Sequence, residues 1–275
     1  MKLSVKQLQE KAAELRVSSM KMIVGAGGGH LGGSFSAMDI LTALYFNVMR
    51  IDPANPGRED RDRFILSAGH KAAAYVPVLA ERGYFSRDLL PTFNKLGSPF
   101  GMHPDKNKIP GCEASTGSLG HGLAIGLGMA LALRMDGLDS KVYVLLGDGE
   151  LHEGTNWEAA MGAAQYRTSN LVAIVDYNKC SMDGPIDKVV SLEPLEAKWQ
   201  AFGWETIRID GNDMAQVLSA LQNAAARGSS GSPVAIIADT VKGKGAAFAE
   251  GDYRWHYGCP SEEQLADSIK ALGGK

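Results

Sequence analysis

Val142-Tyr143-Val144-Leu145-Leu146-Gly147-Asp148-Gly149 is the stretch on which the fold turns. Five apolar residues in a row run into a Gly-Asp-Gly turn with no polar alternation. A strand that faces water on one side alternates, whereas a strand covered on both faces does not. Leu171-Val172-Ala173-Ile174-Val175 repeats the pattern and ends in Asp176-Tyr177-Asn178-Lys179. Helical periodicity over 154–166 lies between the two, so the pair reads as a strand-helix-strand unit with a parallel connection. Working outward, a short strand at Arg63–Ser67 precedes a helix over 70–82. Downstream, a strand at 205–209, a helix at 214–227 and a strand at 234–238 continue the alternation. Upstream, residues 4–23 form an amphipathic helix with Leu8, Ala12 and Leu15 on one face. Ser36 and Asp39 read as a capping box opening a helix to Met49. A small-residue helix is expected from Ser118 to Met135. The short GSSGSP segment at 228–233 reads as a loop. This predicts one α/β domain over 1–275, a parallel sheet sandwiched between two helical layers.

Composition narrows the function classes. Lys plus Arg number 28 and Asp plus Glu 31, a net charge of −3. That balance gives no global basic field, so neither nucleic acid nor an acidic membrane is expected as a partner. No apolar run reaches the roughly 18 residues of a membrane span. The N-terminal helix is broken by charges and is no signal peptide. Cys112, Cys180 and Cys259 are far apart and form no CxxC pair, which argues against a disulfide framework and for a cytoplasmic protein. The 33 glycines gather into islands (GAGGGHLGG, TGSLGHG, GDGELHEG, VKGKG) at the expected strand ends, where open α/β sheets bind ligands.

At those ends, Asp148 and Asn178 offer a carboxylate and an amide at two adjacent strands. Hard oxygen donors of this kind suit Mg²⁺ or Ca²⁺, and flanking glycines let main-chain N–H groups approach a diphosphate. Taken alone, Gly-Asp-Gly reads equally well as a turn; the Asn at the next strand end favours the metal. Four of the six histidines, His30, His70, His103 and His256, also fall in loops at strand ends. A single loop histidine is ordinarily a solvated one, but four together suit proton transfer on a polyhydroxylated substrate. Glu150 reads as a solvated loop charge, and Lys242 and Lys244 as part of a solvated, glycine-flexible loop.

Gly147-Asp148-Gly149 followed by Asn178 resembles the thiamine diphosphate motif. The surrounding GDGELHEGTNWEAAMGAAQYRTSNLVAIVDYNKCSMDG looks like the transketolase branch of that superfamily, and the likeness runs from GGGHLGGSFSAMDIL through SAGH, FGMHPD and TGSLGHG to WHYG. The resemblance implies that Asp148, Asn178 and the carbonyl of Cys180 hold Mg²⁺ (or Ca²⁺ or Mn²⁺). It implies that Gly147 and Gly149 approach the diphosphate, and that Gly117, Ser118 and Leu119 lie against the aminopyrimidine. His30 and His256 would act at the hydroxyl that loses its proton during C–C cleavage. His103 would hold the hydroxyls of a two-carbon unit, and His70 would touch cofactor and substrate. Glu153 has two readings, a helix-dipole charge or, by the resemblance, part of a carboxylate network that joins paired sites across a subunit interface. His121 and His152 stand where transketolases commonly carry glutamine and read as structural; Ser118 stands where many have proline.

Transketolases are more than twice this long, with an aminopyrimidine-binding domain and a C-terminal domain that have no counterpart here. The resemblance therefore implies the diphosphate-binding subunit of a split transketolase, working as α₂β₂ with a separate C-terminal subunit on sugar phosphates. Rival readings are the α subunit of a 2-oxoacid dehydrogenase, part of a deoxyxylulose phosphate synthase, or a cofactor-binding homologue without catalysis. The histidine set and FGMHPD argue against the dehydrogenase.

Overall fold

In the computed structural model, which describes residues 2–227 and 231–273, the apolar runs become the middle of a sheet. The elements in chain order are helices α1 (Val5–Gly25), α2 (Leu31–Ser36) and α3 (Met38–Ala43), strand β1 (Arg63–Leu66), α4 (Ala72–Arg82), α5 (His121–Met135), β2 (Val142–Gly147), α6 (Gly154–Gln165), β3 (Leu171–Tyr177), α7 (Ile186–Val189), α8 (Leu195–Ala201), β4 (Glu205–Asp210), α9 (Met214–Ala225), β5 (Val234–Asp239) and α10 (Glu262–Ala271). All strand pairings are parallel, in the order β1-β2-β3-β5-β4. Every residue of β2 and β3 is buried, as unbroken apolar runs require. β4 is an edge strand with no buried residue, Glu205, Arg208 and Asp210 being exposed, so the expectation of burial on both faces does not hold there.

The strand pleat sorts side chains into two cores. Tyr143, Leu145, Val172, Ile174, Val234 and Ile236 join α1, α3, α4 and α9. Val144, Leu146, Ala173, Val175, Ala235 and Ile237 join α5, α6 and the Trp199–Trp204 pair around α8. This is the expected three-layer sandwich, with each strand residue committed to one layer by its parity.

Local chemistry sets the helix ends, and here the structure corrects the reading. α1 opens with a capping box, but on Ser4 and Gln7. No capping box operates at Ser36 and Asp39: the helical run starts earlier, at Leu31, and reaches Val48 through a π turn at Leu44–Val48. Ser36 instead donates its hydroxyl to Asp176 at 2.6 Å, and Asp39 pairs with Arg16 at 2.7 Å. The helix expected from Ser118 begins at His121, after Gly120 in a left-handed conformation (φ 86°) that favours glycine. Part of the 228–233 loop lies outside the described residues. Among the described residues, no helix is long and apolar enough to cross a membrane.

The consequence for function is spatial. The C-terminal ends of β1, β2, β3 and β5 deliver Ser67–Lys71, Gly147–Glu150, Asn178–Cys180 and Thr240–Lys242 to one edge of the sheet.

Candidate active site

The floor of the site is made of polar groups that the sheet cannot leave unsatisfied. Asp148 is 3% exposed; its carboxylate accepts from the N–H of Gly149 at 2.8 Å and of Lys179 at 2.6 Å. Lys179 reaches it from a left-handed conformation, φ 66°, a strain that non-glycine residues bear where the surroundings fix the turn. The same turn lets the Cys180 N–H donate to Asn178 Oδ1 at 3.1 Å. Burial, then the neighbouring Asp176 carboxylate, pushes the Asp148 carboxyl up to about 6, with Lys71 acting the other way. A buried carboxylate raised in this way is stabilised by a cation. Among the described residues no group of three or more His, Cys, Asp and Glu clusters as a metal site. The oxygen donors are therefore the Asp148 carboxylate, the Asn178 amide oxygen and the Cys180 carbonyl, the last of which also accepts from Lys242 at 3.0 Å through one of its two lone pairs. Such a set suits a hard ion completing its shell with ligand phosphate.

Two residues read as solvated are buried here. Glu150 is 2% exposed, and its carboxylate accepts from the N–H of Gly120 and of Gly147, each at 3.0 Å, and from the Ser67 hydroxyl. It clamps the 116–120 loop to the end of β2, and burial raises its pKa. Lys242 is 1% exposed. Its ammonium donates to the carbonyls of Cys180 at 3.0 Å and Ser181 at 3.1 Å and meets His256 Nδ1 at 3.3 Å. Three protons thus find three acceptors. The Lys244 side chain, by contrast, is 42% exposed, in keeping with a solvated loop. Lys71 and Asp176, which the sequence reading passed over, form a buried ion pair beneath the floor.

Above the floor the four histidines converge. His30 lies 5.4 Å from His70, 5.9 Å from His103 and 5.3 Å from His256 between ring centroids, and His70 lies 5.1 Å from His256. His30, His70 and His256 are partly buried while His103 stays exposed at the cavity wall, and desolvation lowers the pKa of all four. His30 falls to about 4, through burial, then His103 and Lys242. His256 falls to about 3, through burial, Lys242, His30 and Lys71. His70 drops well below its usual value by burial and then Lys71, and His103 by burial alone. All are neutral at pH 7 and can accept or donate. Because His256 Nδ1 accepts from Lys242, its proton sits on Nε2. His30 Nδ1 is buried without a hydrogen-bond partner, an orphan polar atom that a ligand would satisfy.

These groups share a cavity of about 350 Å³ lined by His30, His70, His103, His256, Gly117, Leu119, Gly147, Asp148, Gly149, Asn178, Cys180, Lys71, Glu150 and Lys242 among others. Gly117 approaches His103 so closely that an added Cβ would sit 3.0 Å from its ring. Ser118 and Glu153 are exposed and lie outside the cavity lining. Glu153 instead stands at the N-cap position of α6 beside Gly120, its side chain making no capping bond. His121 is exposed, and His152 lines the rim while its Nε2 meets the Val190 carbonyl at 2.8 Å.

Residues 7–275 match the family described as "Transketolase, thiamine diphosphate binding domain". The chain is 43% identical over 265 residues to the 6-deoxy-6-sulfo-D-fructose transketolase subunit SqwG of Clostridium sp., covering 96% of each chain. It is 39% identical over 270 residues to one subunit of the apulose-4-phosphate transketolase of Phocaeicola vulgatus, covering 98% of this chain and 95% of that one. The crystal structure of transketolase from Campylobacter jejuni superposes with a TM-score of 0.93 at 32% identity, over 100% of this chain but only 44% of that one. The chain thus spans nearly the full length of the two transketolase subunits and less than half of the Campylobacter transketolase chain.

Proposed function

The chain belongs to the transketolase family, matched through its thiamine diphosphate-binding domain, and we propose that it is the diphosphate-binding subunit of a two-chain transketolase. The observation that carries the reading is the meeting of two sets in one cavity: oxygen donors at Asp148 and Asn178, and four neutral histidines above them. The first set fits a metal-diphosphate. The second fits hydroxyls whose protons must move. A 2-oxoacid substrate, which loses carbon dioxide, needs no such second set.

In this proposal Asp148, Asn178 Oδ1 and the Cys180 carbonyl hold Mg²⁺ (or Ca²⁺ or Mn²⁺), and Gly147 and Gly149 bring main-chain atoms against the diphosphate. Gly117 and Leu119 face the aminopyrimidine, with Ser118 and Glu153 at the edge nearer a partner. When bound, thiamine diphosphate supplies the electron sink for breaking and making a C–C bond. This chain's residues manage the protons. His256, held as the Nε2–H tautomer by Lys242, donates to a substrate oxygen. His30, neutral and unpartnered at Nδ1, takes the hydroxyl proton as the bond to the departing aldose breaks. His103 holds the hydroxyls of the two-carbon unit for transfer to an aldose acceptor, and His70 touches cofactor and substrate. Donors in the class of ketose phosphates, or sulfonated ketoses, match the substrates named for the relatives.

The partner subunit would carry the aminopyrimidine-binding domain and the activating carboxylate, in an α₂β₂ assembly. Support comes from α5, which carries no Asp, Glu, Lys or Arg before Arg134. Ile125 and Met135 on it, with Met161 and Tyr166 beside it on and after α6, are exposed apolar residues. A helix apolar around its circumference is ordinarily a covered helix, and α5 begins at His121, two residues after Leu119, which lines the cavity. The test is reconstitution. The purified chain with thiamine diphosphate, Mg²⁺ and a ketose phosphate should transfer no ketol until the subunit with the aminopyrimidine-binding domain is added. Activity of the lone chain would overturn the two-chain reading. Inactivity of the coenzyme-loaded pair on ketose phosphates and sulfonated ketoses would overturn the reaction.

A further inference from the structure

We propose that Lys71 and Asp176 form a buried positioning pair: Asp176 sets the orientation of the Asn178 amide, and Lys71 cancels the charge this brings beside Asp148. The inference rests on the reading of Asn178 as a metal ligand and goes beyond it. An amide can present either end, and its neighbours decide which. The Asn178 NH₂ lies 3.4 Å from Asp176 Oδ2 and 3.4 Å from Ser36 Oγ. Its oxygen is thereby turned the other way, toward the Cys180 main chain that borders the cavity. A carboxylate accepts only, so Asp176 permits one orientation and rejects the flipped one, which would set two oxygens face to face.

Asp176 is fully buried, and its other contacts hold it still. Ser36 donates at 2.6 Å, Thr240 donates to Oδ1, and Lys71 Nζ lies 2.5 Å from Oδ2. These donors come from the ends of α2 and β5 and from the turn after β1, so the pair knots three elements under the floor. Lys71 also stands beside the strand end that bears Asp148: a Cβ on Gly147 would lie 3.8 Å from its Nζ. Without Lys71, the Asp176 charge would stand uncompensated beneath the strand end that bears Asp148, and the surplus negative charge would oppose a diphosphate.

The experiment measures Mn²⁺ binding by electron paramagnetic resonance on the full-length chain with thiamine diphosphate, with and without the partner subunit. Wild type is measured first; if it binds no Mn²⁺, the metal-site reading fails and not this inference. Lys71→Met alone strands a buried charge and is expected to unfold readily. The deciding variant is Lys71→Met/Asp176→Asn, which removes both charges and keeps the volume. Its melting temperature should stay within a few degrees of wild type, while Mn²⁺ affinity falls about 10- to 100-fold, the usual effect of losing an outer-shell partner of a metal ligand. Unchanged Mn²⁺ affinity in a folded double variant would overturn the proposal. So would failure of the double variant to fold, since the pair would then be structural.

Discussion

The floor and the roof of the cavity are built in opposite ways. On the floor, Asp148, Glu150, Asp176 and Lys242 each have several partners within the chain. On the roof, three imidazoles stand within 6 Å of the His30 ring, and His30 Nδ1 has no partner at all. A group that stays in place from one turnover to the next rewards donors and acceptors fixed in advance. A substrate that changes its protonation and leaves requires polar atoms kept free. On the proposed function, the contrast separates what binds from what reacts.

The sharpest way to break this comparison is to truncate the roof. His30→Ala or His256→Ala should lower turnover by about 10²–10⁴, the usual worth of a positioned acid-base group, with coenzyme affinity nearly unchanged. A matching loss of coenzyme affinity would show that the roof also binds. The complementary change is Asp148→Ala, which removes the floor carboxylate proposed as a metal ligand. Coenzyme affinity in the presence of Mg²⁺, followed by fluorescence titration, should fall about 100-fold on the scale of about 2.7 kcal/mol for a lost charge-assisted contact. Turnover at saturating coenzyme should suffer less than in the histidine variants.

A third change tests how far the floor is structural. Glu150→Ala leaves the N–H groups of Gly120 and Gly147 and the Ser67 hydroxyl without their acceptor. Stranding buried donors costs about 1–3 kcal/mol, and the 116–120 loop should loosen. Chemical denaturation should show that loss, and hydrogen exchange should rise at Gly120 before it rises in β2. Unaltered stability would mean that the clamp is not needed.

The roof was more legible in the sequence than the floor, for a physical reason. Strands buried on both faces announce themselves as apolar runs, so β2, β3 and β5 were readable, and the histidines stood out because few residue types do their chemistry. Glu150 looked like a solvated charge because charges after a turn usually are. Its burial depends on Ser67, 83 positions earlier, and Gly120, 30 positions earlier. Lys242 looked like part of a flexible loop, yet its acceptors come from 61 and 62 positions away. Ser36 and Asp39 did carry a valid local capping pattern, but the hydroxyl is taken by Asp176, 140 positions on. Short-range rules see propensity; they do not see which long-range partner outbids it.

The smallest expected effect is also the one that discriminates floor from roof by sign. An unfolded histidine titrates near 6.5, and a solvated carboxyl near 4. His256 in the folded chain titrates at about 3 and His30 at about 4. Between those values and 6.5 the unfolded chain holds protons that the folded chain refuses, so these histidines make stability fall as pH drops below about 6.5. Asp148 has the reverse sign. Its folded value of about 6 means that the folded chain takes up a proton first, so its contribution rises as pH drops through 6. Asp148 offsets only part of this, because four lowered histidines outnumber the raised carboxyls, so wild type should still lose stability as pH drops from about 6.5 to 5. Replacing His256 with Phe fills the space and removes one of the opposing titrations. The melting temperature of His256→Phe minus that of wild type, measured without coenzyme or metal, should therefore increase from pH 7 to pH 5. A difference that stays flat would show that His256 is not held neutral by burial, and the distinction between a committed floor and a free roof would lose its electrostatic basis.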